Sequence, residues 1–173
     1  EGQTSTTTTV YPTGASNGFM STGYVVPNGT KFNGDLIVSS NSGRGWAKLD
    51  ISNIPSNATI NSAVLKFYVD GGVASNTSNY IVGFSGDPQA LSGAAIYSSI
   101  NSSSNILNTS VWTMGTFSTP SLNVKVLNAS NYIQSQLQTG FLNIGFIRGG
   151  TSSYYISSSS PGISLEVNYS VPC

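Results

Sequence analysis

The chain has 173 residues, no histidine, a single cysteine and only 7% charged residues; six basic and six acidic side chains cancel to a net charge of zero. That length supports one well-cored domain. Six scattered Lys and Arg cannot form the basic surface that nucleic acid requires. The residues needed for a His-based triad, a His-rich zinc site or an intramolecular disulfide are missing. No apolar run is long enough for a membrane-spanning helix. The polar surface is left to Ser, Thr, Asn and Gly.

The start, Glu1-Gly2-Gln3-Thr4, reads as a mature terminus left after processing. Residues 1–11 form an extended arm that includes Thr4, Ser5, Thr6, Thr7, Thr8, Thr9, Val10 and Tyr11. Threonine is β-branched and favours extended backbone. In a strand Thr6, Thr8 and Val10 face one way, and Thr7, Thr9 and Tyr11 the other. Residues 12–22 are rich in Gly, Ser, Asn and Thr and read as a loop. Gly23–Val26 and Asp35–Ser39 are short strands, separated by the Asn28-Gly29 turn signal.

Arg44–Val69 reads as strand, connection, strand. Ala47, Leu49 and Ile51 alternate with Trp46, Lys48 and Asp50; Ala63, Leu65, Phe67 and Val69 alternate with Val64, Lys66 and Tyr68. This period of two predicts one buried face for each. Pro55 belongs in the connection, and Asp70-Gly71-Gly72 reads as a turn. Tyr80–Phe84 is a strand weakened by Gly83. Residues 85–110 look least ordered, with a short edge strand at Ile96–Ile100. Val111–Phe117 and Leu122–Val126 are strands. Asn128–Thr139 is the one helix candidate, with Ser130 or Asn128 as cap, Ile133 and Leu137 on one face and Gly140 as stop. Phe141–Ile147, Tyr154–Ser157 and Ile163–Tyr169 complete the strands. Many short strands at regular spacing with one short helix predict an all-β fold, an antiparallel jelly-roll-like β-sandwich over residues 12–173 with the arm as a separable piece.

Asn-x-Ser/Thr occurs at Asn28, Asn57, Asn76, Asn101, Asn108, Asn128 and Asn168. Glycans there would supply the solubility that charge normally supplies, and the sequons imply an extracellular, cell-surface location. Cys173 is the last residue and is open to an intermolecular pair or a free thiol.

Chemistry-bearing residues are few. Asp35, Asp50, Asp70, Asp87 and Glu166 are the carboxylates that could act in pairs on a glycosidic bond, but none lies in a recognisable motif. Asp50, beside Lys48 and across a connection from Lys66, is expected to form an ion pair. No spaced acidic loop points to calcium. No catalytic residue, metal or cofactor is assigned. Trp46, Trp112, Tyr68, Tyr97, Tyr154 and Tyr155 could stack on sugar rings or fill the core. With no His and few carboxylates, little stability is linked to titration, and tolerance of strong acid is expected.

Gly45–Pro55 followed by Ala58–Tyr68, then Leu122–Val126, Gly140–Phe146 and Tyr154–Tyr169, resemble the DNRLRE-type domains over roughly residues 33–169. The eponymous hexapeptide is absent, and Ser158-Ser159-Ser160 lacks the acidic residue of the family's ending. The resemblance implies an extracellular jelly-roll-like module, some members of which bind carbohydrate. In layout and composition the chain is also similar to subunits of archaeal surface filaments, glycosylated sandwiches whose charge-poor N-terminal strand completes the next subunit's sheet. An ordered polar arm must offset the entropy of its ordering by pairing within its own sheet or with a neighbour. The expectation taken forward is a homopolymer subunit with Thr4, Thr6, Thr7, Thr8, Thr9, Val10 and Tyr11 at the interface. A carbohydrate-binding module is the alternative.

Overall fold

The computed structural model describes residues 2–12, 21–39, 43–72, 77–112, 121–128, 130–148, 153–157 and 162–173. Two antiparallel sheets face each other. The first holds β1 (Gln3–Val10), β4 (Leu36–Ser39), β6 (Thr59–Gly72), β9 (Ser121–Leu127), β11 (Ser153–Ile156) and β12 (Ile163–Pro172). The second runs in the order β3 (Lys31–Asn33), β2 (Thr22–Val25), β5 (Arg44–Asp50), β10 (Phe141–Arg148), β7 (Thr77–Gly83) and β8 (Asn105–Trp112). The expected all-β sandwich is the observed architecture.

β6 is the spine of the first sheet. β9 pairs along one side of it. On the other side β11 and β12 succeed one another, because Tyr68 accepts from the Ser157 N–H and donates to the Gly162 carbonyl at the junction. β4 then pairs outside β11, and β1 outside β12. The Asp70-Gly71-Gly72 turn signal lies inside β6, where Tyr155 and Tyr154 pair with Gly71 and Gly72. Neighbouring strand overrides a local turn preference here.

The main core lies between the sheets. Leu65, Phe67 and Val69 from β6 and Leu165 and Val167 from β12 meet Ala47 and Leu49 from β5 and Leu142, Ile144 and Phe146 from β10. Phe67 and Phe146 touch edge to face across the sandwich, 5.4 Å between ring centroids. Helix α2 (Ser130–Gln136) lies within the expected helical stretch and contributes Ile133 to this core, with Leu137 just beyond it. The side chain of its proposed cap Ser130 is outside the described residues.

A second helix, α1 (Gly93–Asn101), forms where a loop with an edge strand was expected. The Ser92 hydroxyl caps it by accepting from the Ala95 N–H, and Ile96 and Ile100, four apart, share its buried face. That face covers the outside of the second sheet and makes a second apolar cluster with Val25, Trp46, Val82 and Phe84. β5 is therefore buried on both faces from Arg44 to Leu49, not on one. The buried cation Lys48 reaches out of this layer to Asp87 and Gln89, both at 3.0 Å, while Lys31 donates to the carbonyls of Pro88 and Leu91. Asn143 donates to the carbonyls of Phe84 and Gly86. These three side chains hold the segment leading into α1 against the sheet.

Candidate functional site

The arm lies on its own chain. β1 pairs with β12 over its full length, from Gln3 opposite Pro172 to Val10 opposite Leu165, without a register shift. Of the two placements the sequence left open, this is pairing within its own sheet. Val10 is its one core residue, 4% exposed. Thr8 is half-buried, while Gln3, Thr4, Ser5, Thr6, Thr7 and Thr9 are exposed. Both faces of residues 3–7 are therefore wet, and this half of the strand overhangs the sandwich. Beyond it Tyr11 is exposed, and its carbonyl accepts from the Asp50 N–H at 2.9 Å as the chain crosses to the second sheet.

A polar cluster fastens the overhang to the outer face of the first sheet. Asn168 on β12 donates from Nδ2 to Thr7 Oγ1 at 2.9 Å and accepts at Oδ1 from Ser5 Oγ at 3.2 Å. Asn61 on β6 donates to Asn168 Oδ1 and to Ser170 Oγ, each at 2.8 Å. Sequence reasoning placed the arm residues but not Asn168, more than a hundred and fifty residues away in the chain, nor Asn61 that holds it.

The sequons fall into groups. Asn28 and Asn57 are exposed on turns; Asn28 Oδ1 accepts from Thr30 N and Oγ1 at 2.9 and 2.8 Å. Asn128 is exposed after β9. Asn101 ends α1 and accepts from Arg44 Nε at 2.8 Å. Asn108 is half-buried in β8 and donates to the Val126 carbonyl, and Asn168 sits in the cluster above. Asn76 lies outside the described residues.

The aromatic residues do not form one sugar-binding strip. Trp46 and Tyr154 are fully buried, Tyr68 and Tyr97 are half-buried, and Tyr155 is exposed. The ring of Trp112 is outside the description. Trp46 packs against α1, which itself carries Tyr97, a layer that could not be foreseen without that helix. The carboxylates are also dispersed. Asp35 and Asp70 are exposed, Asp87 meets Lys48, and Glu166 meets Lys66 at 3.3 Å. The expected Asp50 ion pair is replaced by a turn: Asp50 Oδ1 accepts from Ser52 Oγ at 2.6 Å and Ser52 N at 3.0 Å. The Ser52 hydroxyl, and then its N–H, hold the Asp50 pKa below the ordinary carboxylate value.

A cleft of about 260 Å³ opens at the C-terminal end of α1, lined by Gly83, Phe84, Ser85, Ser99 and Ser102–Asn105. The Ser103 hydroxyl is committed to the Gly83 carbonyl and the Ser102 hydroxyl to the Ser98 carbonyl. On the opposite side of the molecule Leu122, Val124 and Val126 of β9 are exposed on the outer face of the first sheet. The charge-poor β1 strand on its β12 slot is the feature with the most specific geometry. No protein-family model matches the chain, and no curated protein matches it either.

Proposed function

We propose that the chain is a non-catalytic, extracellular structural subunit that polymerises by giving β1 to the β12 edge of the next copy. One observation carries this reading: β1 is held by a main-chain ladder and a few hydroxyl contacts, with Val10 as its only buried side chain. Main-chain bonds are the same whichever copy supplies the strand. Exchange therefore replaces each contact with an identical one, and concentration and connection strain set the balance. The interface is heterologous, so it can grow without closing. Exposed sequons at Asn28, Asn57 and Asn128 and the low charge support a glycosylated surface protein.

The test uses the chain from residue 12 onward and a synthetic peptide of residues 2–11. The truncated protein should bind the peptide with a measurable Kd, and the full chain should form concentration-dependent oligomers visible by negative-stain imaging. A truncated protein that stays folded and ignores the peptide would rule the exchange out. The carbohydrate-binding alternative ranks lower because Trp46 and Tyr154 are spent on packing.

A further inference from the structure

β1 has two edges, and only one faces β12. The Tyr68–Gly162 bond fixes which residues point which way. It turns the main chain of Ser164, Glu166 and Asn168 toward β6, so Leu165, Val167 and Tyr169 turn theirs toward β1. Their partners Val10, Thr8 and Thr6 complete that ladder. Gln3, Ser5, Thr7 and Thr9 consequently direct their N–H and C=O groups away from β12, along the outside of the sheet. The Tyr11 carbonyl, which leaves the ladder for the Asp50 N–H, follows the same alternation. Among the named strands β1 pairs with β12 alone.

Edges of this kind are normally blunted by charge, proline, bulges or short length. The other terminal strands carry such devices. β3 has three residues and begins with Lys31, β4 has four, and β9 carries Lys125. β8 is bulged against β7, and its Leu107 carbonyl accepts from the Asn128 N–H. β1 has eight residues with no charge, no proline and no bulge.

We propose that this outward edge of β1 is a second assembly surface, whose partner is the same edge of a second copy, paired antiparallel about a two-fold axis at Thr6. That register is the one that uses all four outward residues of each copy: Gln3 meets Thr9, and Ser5 meets Thr7. An antiparallel strand is its own complement in donors and acceptors, and Thr–Ser and Thr–Thr neighbours favour such pairing. The zero net charge gives the copies no overall repulsion. The overhang of residues 3–7, wet on both faces, leaves room for the approach. This interface is isologous and deepens the assembly reading without needing strand exchange, because the outward edge of β1, which no other described strand pairs with, is presented whichever copy supplies its β12.

The test is a symmetric cross-link in the full chain carrying C173S. Two Thr6 residues would face each other as a non-hydrogen-bonded pair, the closer of the two antiparallel types. T6C should give a disulfide dimer under mild oxidation, whereas T4C, whose counterpart in that register is Thr8, should not. Adding T7P should abolish the T6C dimer and leave the monomer folded, since the Thr7 N–H points away from β12. T6P instead breaks the β12 ladder and reports on strand exchange. Equal dimer yields from T6C and T4C, or a T6C dimer that survives T7P, would overturn the edge pairing. If T7P does not fold, the T6C and T4C comparison decides. Failure of peptide binding by the truncated chain would instead count against exchange, so the two proposals fail separately.

Discussion

Asn168 and Thr7 face each other across the β12–β1 ladder, and Asn168 Nδ2 donates to Thr7 Oγ1 at 2.9 Å. The overhanging half of β1 is thereby joined to the body by side chains as well as by main chain. Val10 holds the other end. Release of the strand requires both fastenings to open, which places a barrier before any exchange.

Asn168→Ala removes the contacts to Thr7 and Ser5 at a half-buried site. Each such hydrogen bond is worth about 0.5–1.5 kcal/mol net. Amide exchange at Thr4, Thr6 and Thr8 should accelerate, while that of Leu65 and Phe146 in the core should be unchanged. If exchange is real, this variant also assembles faster. Unaltered protection of the strand would show that the main chain and Val10 suffice.

Lys48 and Asp87 give an asymmetric pair of predictions. Lys48 is buried, whereas the Asp87 side chain is 44% exposed. Asp87→Ala takes the carboxylate away from a buried ammonium that keeps Gln89 Oε1 and the face of Phe141 beside it. Lys48→Met fills the same space without a charge. Partial exposure screens the pair, so Asp87→Ala should cost about 1–2 kcal/mol, and Lys48→Met less. Chemical denaturation of both variants measures the order. A larger loss from Lys48→Met would mean that the cation itself is needed to hold the segment leading into α1.

The pH profile follows from few groups. Burial opposes ionisation of Asp87, but the Lys48 ammonium, the Gln89 N–H and the nearby Lys31 outweigh it and lower its pKa. Asp50 is lowered by Ser52. Carboxylates depressed in the folded state add stability above their unfolded pKa of about 4 and lose it only as pH falls through the folded value. With no histidine to titrate, Tm should stay level from pH 7 to about pH 4 and decline below that. At the alkaline end, burial pushes Tyr132 up to about 12. Its contribution is complete below about pH 10, the unfolded value, and is lost as pH rises through the folded one. Tyr132→Phe should flatten that alkaline decline. It also gives up the bond to the Phe84 carbonyl, a cost that does not vary with pH.

Period-two alternation and short apolar runs were enough to locate most of the strands and to foresee the sandwich. Leu122–Val126 and Ile163–Tyr169 each fall within an observed strand, because alternation records which side of a pleated strand leaves water, and Phe141–Ile147 falls within one as a short apolar run buried on both sides. The threonine run likewise encoded a strand for the arm. What covers each face, and which strand pairs with which, emerges only once the chain is folded. Trp46 and Lys48 alternate as a wet face would, yet Trp46 is buried against α1, legible only as Ile96 and Ile100 four apart behind Ser92, and Lys48 is buried beside Asp87 and Gln89 of the segment leading into that helix. The arm's partner Asn168, itself held by Asn61, comes from a strand far along the chain, and a pairing between distant segments leaves no local trace. The same holds for Asp50, whose short side chain took the nearest donors at Ser52 while Lys48 and Lys66 found Asp87 and Glu166 through space.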